Sequence, residues 1–227
     1  LVFFMGFTFG IIIWLPLAFG GHWGEQRQAG NLLLWVSLYA ALLMGEVLFW
    51  NTLGFDRSAV QVYYVMPIPL RAVLLAKNLT AVALLLAEVA MIAAALTVLR
   101  IRFPVTKIPE AVACTLLLAV MLMAVGNLAS VKSPRAADPA SGWRQSSAGK
   151  VQGLIMLLLP VLTAPIALAH LARYAFDRDL AYWLVLASGY IVAAITYHVA
   201  LDSAVEIAEK ERERIVAALS AGQGPMA

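Results

Sequence analysis

Long apolar runs separated by polar connections are the dominant pattern of this chain. Six of the runs are long enough to cross about 30 Å of hydrocarbon as a helix, which takes about 20 residues. They cover residues 1–19, 31–50, 72–98, 111–129, 151–171 and 180–201. The runs do not alternate in polarity as the strands of a membrane barrel do. The pattern therefore predicts an all-α polytopic membrane protein, with a six-span domain over residues 1–201 and a charged cytoplasmic helical tail over residues 202–227.

The connection between the second and third spans, Asn51 to Asn78, is the most patterned polar stretch. Asp56 is predicted to cap a short helix that has Arg57 in its first turn. Pro67 is predicted to end that helix and Pro69 to start the next one, because proline fixes φ and has no backbone donor. Helical spacing places an apolar face at Phe55, Ala59, Val62 and Met66 and a polar face at Arg57, Ser58, Gln61 and Tyr64. The stretch therefore predicts a short amphipathic helix joined to the third span by a stiff corner.

Composition supports the membrane class and makes several kinds of site unexpected. The 227 residues are 63% hydrophobic and 13% charged, and their mean hydropathy is +0.86. The single cysteine, Cys114, lies inside an apolar run, so neither a disulfide nor a cysteine metal site is expected. A net charge of +3 gives no indication of a nucleic-acid partner. An apolar run begins directly at Leu1, without a start methionine or the basic residues that precede the apolar part of a signal peptide. We therefore expect the chain to be the later part of a longer polypeptide.

Lysine and arginine are distributed unevenly between the two sides of the predicted bundle, and the cytoplasmic side normally carries more of them. One side has ten: Arg57, Arg71, Lys77, Lys132, Arg135, Arg144, Lys150, Lys210, Arg212 and Arg214. The other side has six: Arg27, Arg100, Arg102, Lys107, Arg173 and Arg178. The first side is therefore predicted to be cytoplasmic, together with both ends of the chain and the connection between spans two and three.

Motifs for catalysis and for metal binding are absent from the sequence. No GxxxxGK[ST] phosphate loop occurs, because Lys150 is followed by valine and lacks the upstream glycine. No HExxH, GxSxG or paired-cysteine motif occurs either. His22, His170 and His198 fall at different predicted depths, which is unfavourable for a haem or metal site. The chain is therefore not expected to be an enzyme or to hydrolyse ATP.

Two groups of residues resemble those of permeases of ATP-binding-cassette type-2 exporters. The first group is Asn51, Gly54, Phe55, Asp56, Arg57, Pro67, Arg71, Leu75, Lys77 and Asn78. The second group follows span four and is Gly126, Asn127, Ser130 and Pro134. Six spans with both ends inside are also similar to that family. The chain departs from the family in having no amphipathic helix before span one and little room for re-entrant helices between Ala172 and Asp179.

The resemblance implies a role for the connection between spans two and three. In this family the connection forms a coupling helix that docks on a separate nucleotide-binding ATPase subunit. The residues implied in partner binding are Phe55, Asp56, Arg57, Ser58, Gln61, Tyr64 and Pro67. The resemblance also implies that ATP is bound by the partner and not by this chain. It further implies a second permease half or a homodimer, surrounded by lipid in a bacterial inner (plasma) membrane.

Ionisable residues inside the predicted spans are the other candidates, because a charge in lipid is costly. Glu46 in span two and His198 in span six lie at similar depths near the cytoplasmic side, so the two side chains can pair. Glu88 lies near the middle of span three and is either part of a substrate or proton path or a structural contact between helices. Three hypotheses remain: an exporter subunit of unknown substrate, a secondary transporter using Glu88, and a membrane-embedded enzyme or scaffold.

Overall fold

The structure is a computed structural model and describes residues 25–101, 103–136 and 149–220. The predicted first span, residues 1–19, lies outside this range, as does much of the loop after span four. All regular structure in the described residues is helical. The helices are α1 (Glu25–Leu48), a 3-10 helix (Gly54–Ala59), α2 (Val60–Val65), α3 (Leu70–Val98), α4 (Lys107–Lys132), α5 (Gly149–Phe176), α6 (Asp179–Lys210) and α7 (Arg212–Ser220).

Four of these helices are long and apolar enough to cross a membrane. They are α3, α4, α6 and the Leu157–Phe176 part of α5. Within α1, the stretch whose side chains the structure describes includes an apolar helix over Asn31–Gly45. The prediction of a helical multi-pass membrane class therefore agrees with the described residues, whereas six spans remain a prediction.

Helix α3 ends where local backbone geometry changes. Arg100 has a φ of 57° and follows the last turn. The N–H of Ile101 donates to the Leu96 carbonyl at 3.0 Å, and the N–H of Arg100 donates to the Thr97 carbonyl at 3.0 Å. This pair of bonds is a Schellman cap, which satisfies carbonyls that the helix itself leaves open.

Helices α5 and α6 pack against each other and are joined by a short turn. Tyr182 of α6 is fully buried at that end, with the guanidinium of Arg173 3.9 Å from its ring centroid. The same Arg173 pairs with Asp179 at 2.8 Å. Helix α5 runs without a break in its assignment through Pro160 and Pro165. The α5–α6 pair is therefore stabilised by polar and aromatic contacts at the turn and by apolar packing along the two helices.

The described residues fall into two compact units. Among the described residues, the first unit draws on 25–47, 80–101 and 103–119. It contains most of α1, the later part of α3 and the earlier part of α4. Its fully buried apolar side chains include Leu33, Leu85, Ile92, Leu117 and Leu118.

Among the described residues, the second unit draws on 48–79, 120–136 and 149–220. It contains the 3-10 helix, α2, the start of α3, the end of α4, and α5 to α7. One apolar cluster within this unit, named here the carboxyl-terminal core, consists of Leu53, Val60, Leu70, Leu74, Val131, Leu201, Ala204, Ala208, Ile215 and Leu219. The predicted amphipathic connection therefore lies in the same unit as the charged tail.

Candidate partner-docking site

The 3-10 helix and α2 together form one short element, Gly54–Val65, named here the connecting segment. Met66 ends it in an extended conformation with φ −67° and ψ 145°, because a following proline disfavours helical backbone at the preceding residue. Helix α3 then begins at Leu70, and the N–H of Ala72 donates to the Pro69 carbonyl at 2.9 Å. The predicted short helix, proline corner and restart are therefore confirmed.

Asp56 does not cap this element, contrary to the sequence prediction. It lies inside the 3-10 helix, where its own N–H already donates to the Leu53 carbonyl at 3.2 Å. Helical hydrogen bonding thus begins before Asp56, and no side-chain cap is present at either helix start. The carboxylate instead accepts a hydrogen bond at Oδ1 from Lys77 Nζ of α3 at 2.9 Å, and its Oδ2 lies 2.7 Å from the same ammonium group as an ion pair. The Asp56 side chain is only 17% exposed and the Lys77 side chain 24%. Asp56 therefore ties the connecting segment to α3.

The predicted apolar face of the connecting segment is not the side that packs against the rest of the second unit. Its four positions, Phe55, Ala59, Val62 and Met66, are all exposed. Of the four predicted polar positions only Gln61 is exposed, whereas Arg57, Ser58 and Tyr64 are partly buried. The inner face is instead formed by Leu53, Gly54 and Val60, which are buried.

The backbone at Arg57 explains why the buried side of the connecting segment differs from the predicted apolar face. Its φ of 50° and ψ of −128° interrupt the helical path. The residues before Ala59 also follow a 3-10 helix, which has 3.0 residues per turn instead of 3.6. A single 3.6-residue period therefore does not apply from Phe55 to Met66. Val65, which belongs to neither predicted face, is a further exposed apolar residue and is 84% exposed.

Helix α7 covers the inner face of the connecting segment. It contacts both the 3-10 helix and α2. Ile215 and Leu219 of α7 have no exposed surface and share the carboxyl-terminal core with Leu53 and Val60. Tyr64 donates its hydroxyl proton to the Ala208 carbonyl of α6 at 3.2 Å. The tail, predicted from sequence as a charged helix, is thus a structural support of the candidate site.

The two residue groups that carried the family resemblance lie together in the second unit. The N–H of Thr52 donates to Ser130 Oγ at 2.8 Å, and Asn51 Nδ2 donates to the Arg135 carbonyl at 3.0 Å. A further close approach joins Gly126 of α4 to the backbone of Phe49. The start of the connection is therefore fixed to the end of α4 through backbone groups.

The beginning of α3 adds two polar links within the same unit. Arg71 Nε lies 3.0 Å from Asp202 Oδ1 of α6, and both side chains are largely solvated. Asn78 is buried and donates to the hydroxyl of Tyr197 at 2.8 Å. These two side-chain contacts link α3 and α6 directly, in addition to the contacts that each helix makes with the connecting segment.

Burial and charge shift the titration of the two tyrosines on the connecting segment. Burial raises the pKa of Tyr63 above its ordinary value of 10.0, and the nearby Asp56 carboxylate raises this pKa further. Burial likewise raises the pKa of Tyr64. The ring of Tyr63 also lies 5.8 Å from Lys77 Nζ. Both phenols are consequently neutral hydrogen-bonding groups near neutral pH.

Arg57 and Pro67 complete the predicted partner-binding residues. The Nε atom of Arg57 is buried and has no hydrogen-bond partner among the described residues. Pro67 is exposed at the corner. The outward surface of the site is consequently mostly apolar, with Gln61 as its polar group and the charge of Asp56 neutralised from within by Lys77.

The intramembrane candidates have different surroundings. Glu88 of α3 is fully buried in the first unit, and neither carboxylate oxygen has a hydrogen-bond partner within the described ranges. His198 of α6 is exposed, and its ring centroid lies 5.8 Å from that of Tyr197. The side chain of Glu46 lies outside the described residues, so its pairing with His198 remains a prediction.

Sequence reasoning missed the support from the tail, although a signal was present. Leu201, Ala204 and Ala208 recur at helical spacing among charged residues, and Ile215 and Leu219 continue an apolar stripe after Glu211. Small and aliphatic side chains in this register indicate a packed face. The charged residues between them instead favoured the interpretation of a solvent-exposed helix.

Neither a cofactor nor a known relative adds to this picture. No group of three His, Cys, Asp or Glu side chains in the part of the chain that the structure describes is placed to hold a metal ion. Comparisons with protein-family models, with curated proteins and with solved structures find no match. The function must therefore be argued from the geometry of the connecting segment.

Proposed function

We propose that this chain is the membrane-spanning permease subunit of an ATP-binding-cassette exporter, driven by a separate ATP-hydrolysing subunit. The connecting segment is its coupling helix. The observation that carries the proposal is that this segment is held firmly on its inner side while its exposed side is apolar. Val65 is 84% exposed, and Phe55, Val62 and Met66 are between 42% and 47% exposed. A short element in this state can bind a partner and pass on its movement.

Force transmission requires a stiff connection between the docking face and a span. The Asp56–Lys77 pair joins the connecting segment to the second turn of α3. The Pro67–Pro69 corner restricts the backbone between them, because proline removes freedom in φ. ATP hydrolysis itself belongs to the partner, since the sequence has no phosphate loop. A displacement of the connecting segment would therefore move the start of α3.

The outward apolar face can be tested with two matched valines. Val65→Asp places a charge on the proposed docking face, and Val105→Asp places one on a similarly exposed valine between α3 and α4, where exposure is 76%. An unpaired charge buried in an interface costs several kcal/mol, which weakens binding by about 10-fold or more. We expect Val65→Asp to weaken co-purification with the proposed nucleotide-binding subunit by this factor, and Val105→Asp to leave binding unchanged. Equal binding by both variants would contradict the coupling-helix proposal.

A second variant separates docking from simple sealing of the bilayer edge. Gln61 is exposed on the same element. Tryptophan is favoured at membrane interfaces, so Gln61→Trp should be harmless if the segment only lies on lipid. On a partner-binding face its bulk should lower co-purification and ATP turnover together. Full partner binding by Gln61→Trp would favour the sealing role.

The proposed orientation puts the connecting segment in the cytoplasm of a bacterial cell, with this chain in the inner membrane beside a second permease half or a second copy. The ten-to-six distribution of basic residues supports this side. In a Cys114→Ser background, Gln61→Cys should react with an impermeant thiol reagent only after the cells are opened. Arg178→Cys, in the turn between α5 and α6, should react in intact cells. The reverse pattern would invert the topology.

A second candidate function is secondary transport through Glu88. The observation that favours it is a fully buried carboxyl group whose oxygens have no hydrogen-bond partner among the described residues. Such a group inside an apolar helix is a candidate proton carrier. Transport driven by a proton gradient without any ATPase, and lost in Glu88→Gln, would support this function over the exporter.

A further inference from the structure

The connecting segment has a second mechanical connection that runs through α7 and the end of α6. Helix α6 continues without interruption from Asp179 to Lys210. The helical path is interrupted at Glu211, with φ −109° and ψ 24°, and α7 beyond it contacts the connecting segment. The segment is consequently held between α3 on one route and α6 with α7 on the other.

Apolar contacts and hydrogen bonds both contribute to this second route. Ile215 and Leu219 are fully buried in the carboxyl-terminal core with Leu53 and Val60. The hydroxyl of Tyr64 reaches the backbone of α6 at Ala208, at 3.2 Å. These contacts come from two turns of α7 and one turn of α6. They therefore restrict the rotation of the connecting segment as well as its distance from these two helices.

Helix α7 is also attached to the end of α4. Arg214 Nη2 donates to the Val131 carbonyl at 3.2 Å, and the same guanidinium pairs with Glu211. Val131 belongs to the carboxyl-terminal core as well. Helix α7 is therefore held at its start by a polar contact and along its length by apolar packing.

We propose that α7 and the last turns of α6 act as a brace that positions the connecting segment and transmits its displacement to α6. Ile215, Leu219 and Tyr64 are the positioning residues of this brace. A movement imposed on the connecting segment then drives α3 and α6 together. The transmission part rests on the proposed function, whereas the positioning part does not.

Hydrogen exchange in lipid nanodiscs tests the positioning part on the full chain without any partner. The variant Ile215→Ala/Leu219→Ala should exchange the backbone amides of residues 60–66 at least about 10-fold faster than the parent, because local opening depends on buried apolar contacts. The control Arg212→Ala/Glu213→Ala changes two exposed residues of the same helix and should leave this exchange unchanged. The amides of residues 84–96 in α3 report that the bundle is still folded. Unchanged exchange at residues 60–66 in the Ile215 and Leu219 variant would overturn the brace.

Partner binding and ATP turnover test the transmission part. With the nucleotide-binding protein present, the brace variant should keep affinity within about threefold of the parent but lose the stimulation of ATP turnover by the permease, because the docking face is intact and its support is not. The volume-conserving variant Ile215→Leu/Leu219→Met should restore that stimulation. Full stimulation in the brace variant would overturn transmission through α6 while leaving the exporter proposal standing. Absence of partner binding by the parent chain would instead overturn the exporter proposal and the transmission with it, and the exchange result would still decide the brace.

Discussion

Replacing Gly126 with alanine should destabilise the fold, although the same change improves helix propensity. A Cβ added at Gly126 would lie 2.6 Å from the carbonyl carbon of Phe49 and nearer still to its oxygen, whereas ordinary contact begins at 3.4 Å. The obstacle is backbone and cannot rotate away, so α4 and the Phe49 turn must separate. Overpacking typically costs about 1–3 kcal/mol, and a clash with backbone that cannot move aside belongs to the upper part of that range, about 2–3 kcal/mol, against about 1 kcal/mol gained from removing a helix-interior glycine. We expect a net loss of about 1–2 kcal/mol in the free energy of unfolding.

The buried cysteine provides the assay for this change. Cys114 is the single cysteine of the chain and has no exposed surface, so its rate of maleimide labelling during a denaturant series reports unfolding. Ala129→Gly in the same helix is the matched control, and it should lose about 1 kcal/mol from propensity without any clash. A Gly126→Ala protein that is as stable as the parent, or more stable, would refute the close approach of α4 to Phe49.

Three further changes test other parts of the structure. Arg57→Gly should be more stable than Arg57→Ala by about 1–2 kcal/mol in the same unfolding assay, because glycine adopts a φ of 50° without strain; equal stability would argue against that conformation. Tyr63 should titrate above pH 10.0 by ultraviolet difference absorbance against Tyr63→Phe, and Asp56→Asn should bring its pKa down. Since the folded pKa is the higher one, the stability linked to Tyr63 is complete below pH 10.0 and lost as the pH rises through that pKa; an ordinary titration would exclude the contact. Glu88→Gln should assemble almost normally, since an amide and a protonated carboxyl have similar shapes, and loss of transport with normal assembly would assign Glu88 to the transport path instead of a structural role.

Local signals in the sequence were sufficient to predict the outline of the connecting segment. Pro67 and Pro69 constrain their neighbours chemically, so the end of α2 and the start of α3 followed from residue type. Helix positions could also be predicted, because long apolar runs reflect the length that a bilayer requires. The start and end of each helix shifted by a few residues, as with α4, which begins at Lys107 instead of residue 111.

The inward face of the segment could not be predicted, because it depends on one dihedral angle and on distant chain. Arg57 has a positive φ that its residue type does not indicate. The role of Asp56 changed from a helix cap to an ion pair because Lys77 lies within reach only after α3 has folded back beside it. The support from Ile215 and Leu219 is likewise a tertiary contact, and periodicity along a single helix cannot reveal the surface against which it packs.

The long separation between the connecting segment and its support has a consequence for biosynthesis. Tyr64 and Ala208 are 144 residues apart along the chain. At about 5–20 residues per second, a ribosome needs roughly 7–30 s to make that stretch. During this interval Leu53 and Val60 cannot be covered by Ile215 and Leu219, and uncovered apolar surface of this kind is what chaperones and proteases recognise. A chain that has not yet emerged as far as α7 therefore lacks the packed inner side of the connecting segment. If the proposed function holds, this order of synthesis delays assembly with the ATPase subunit until the transmembrane helices have been made.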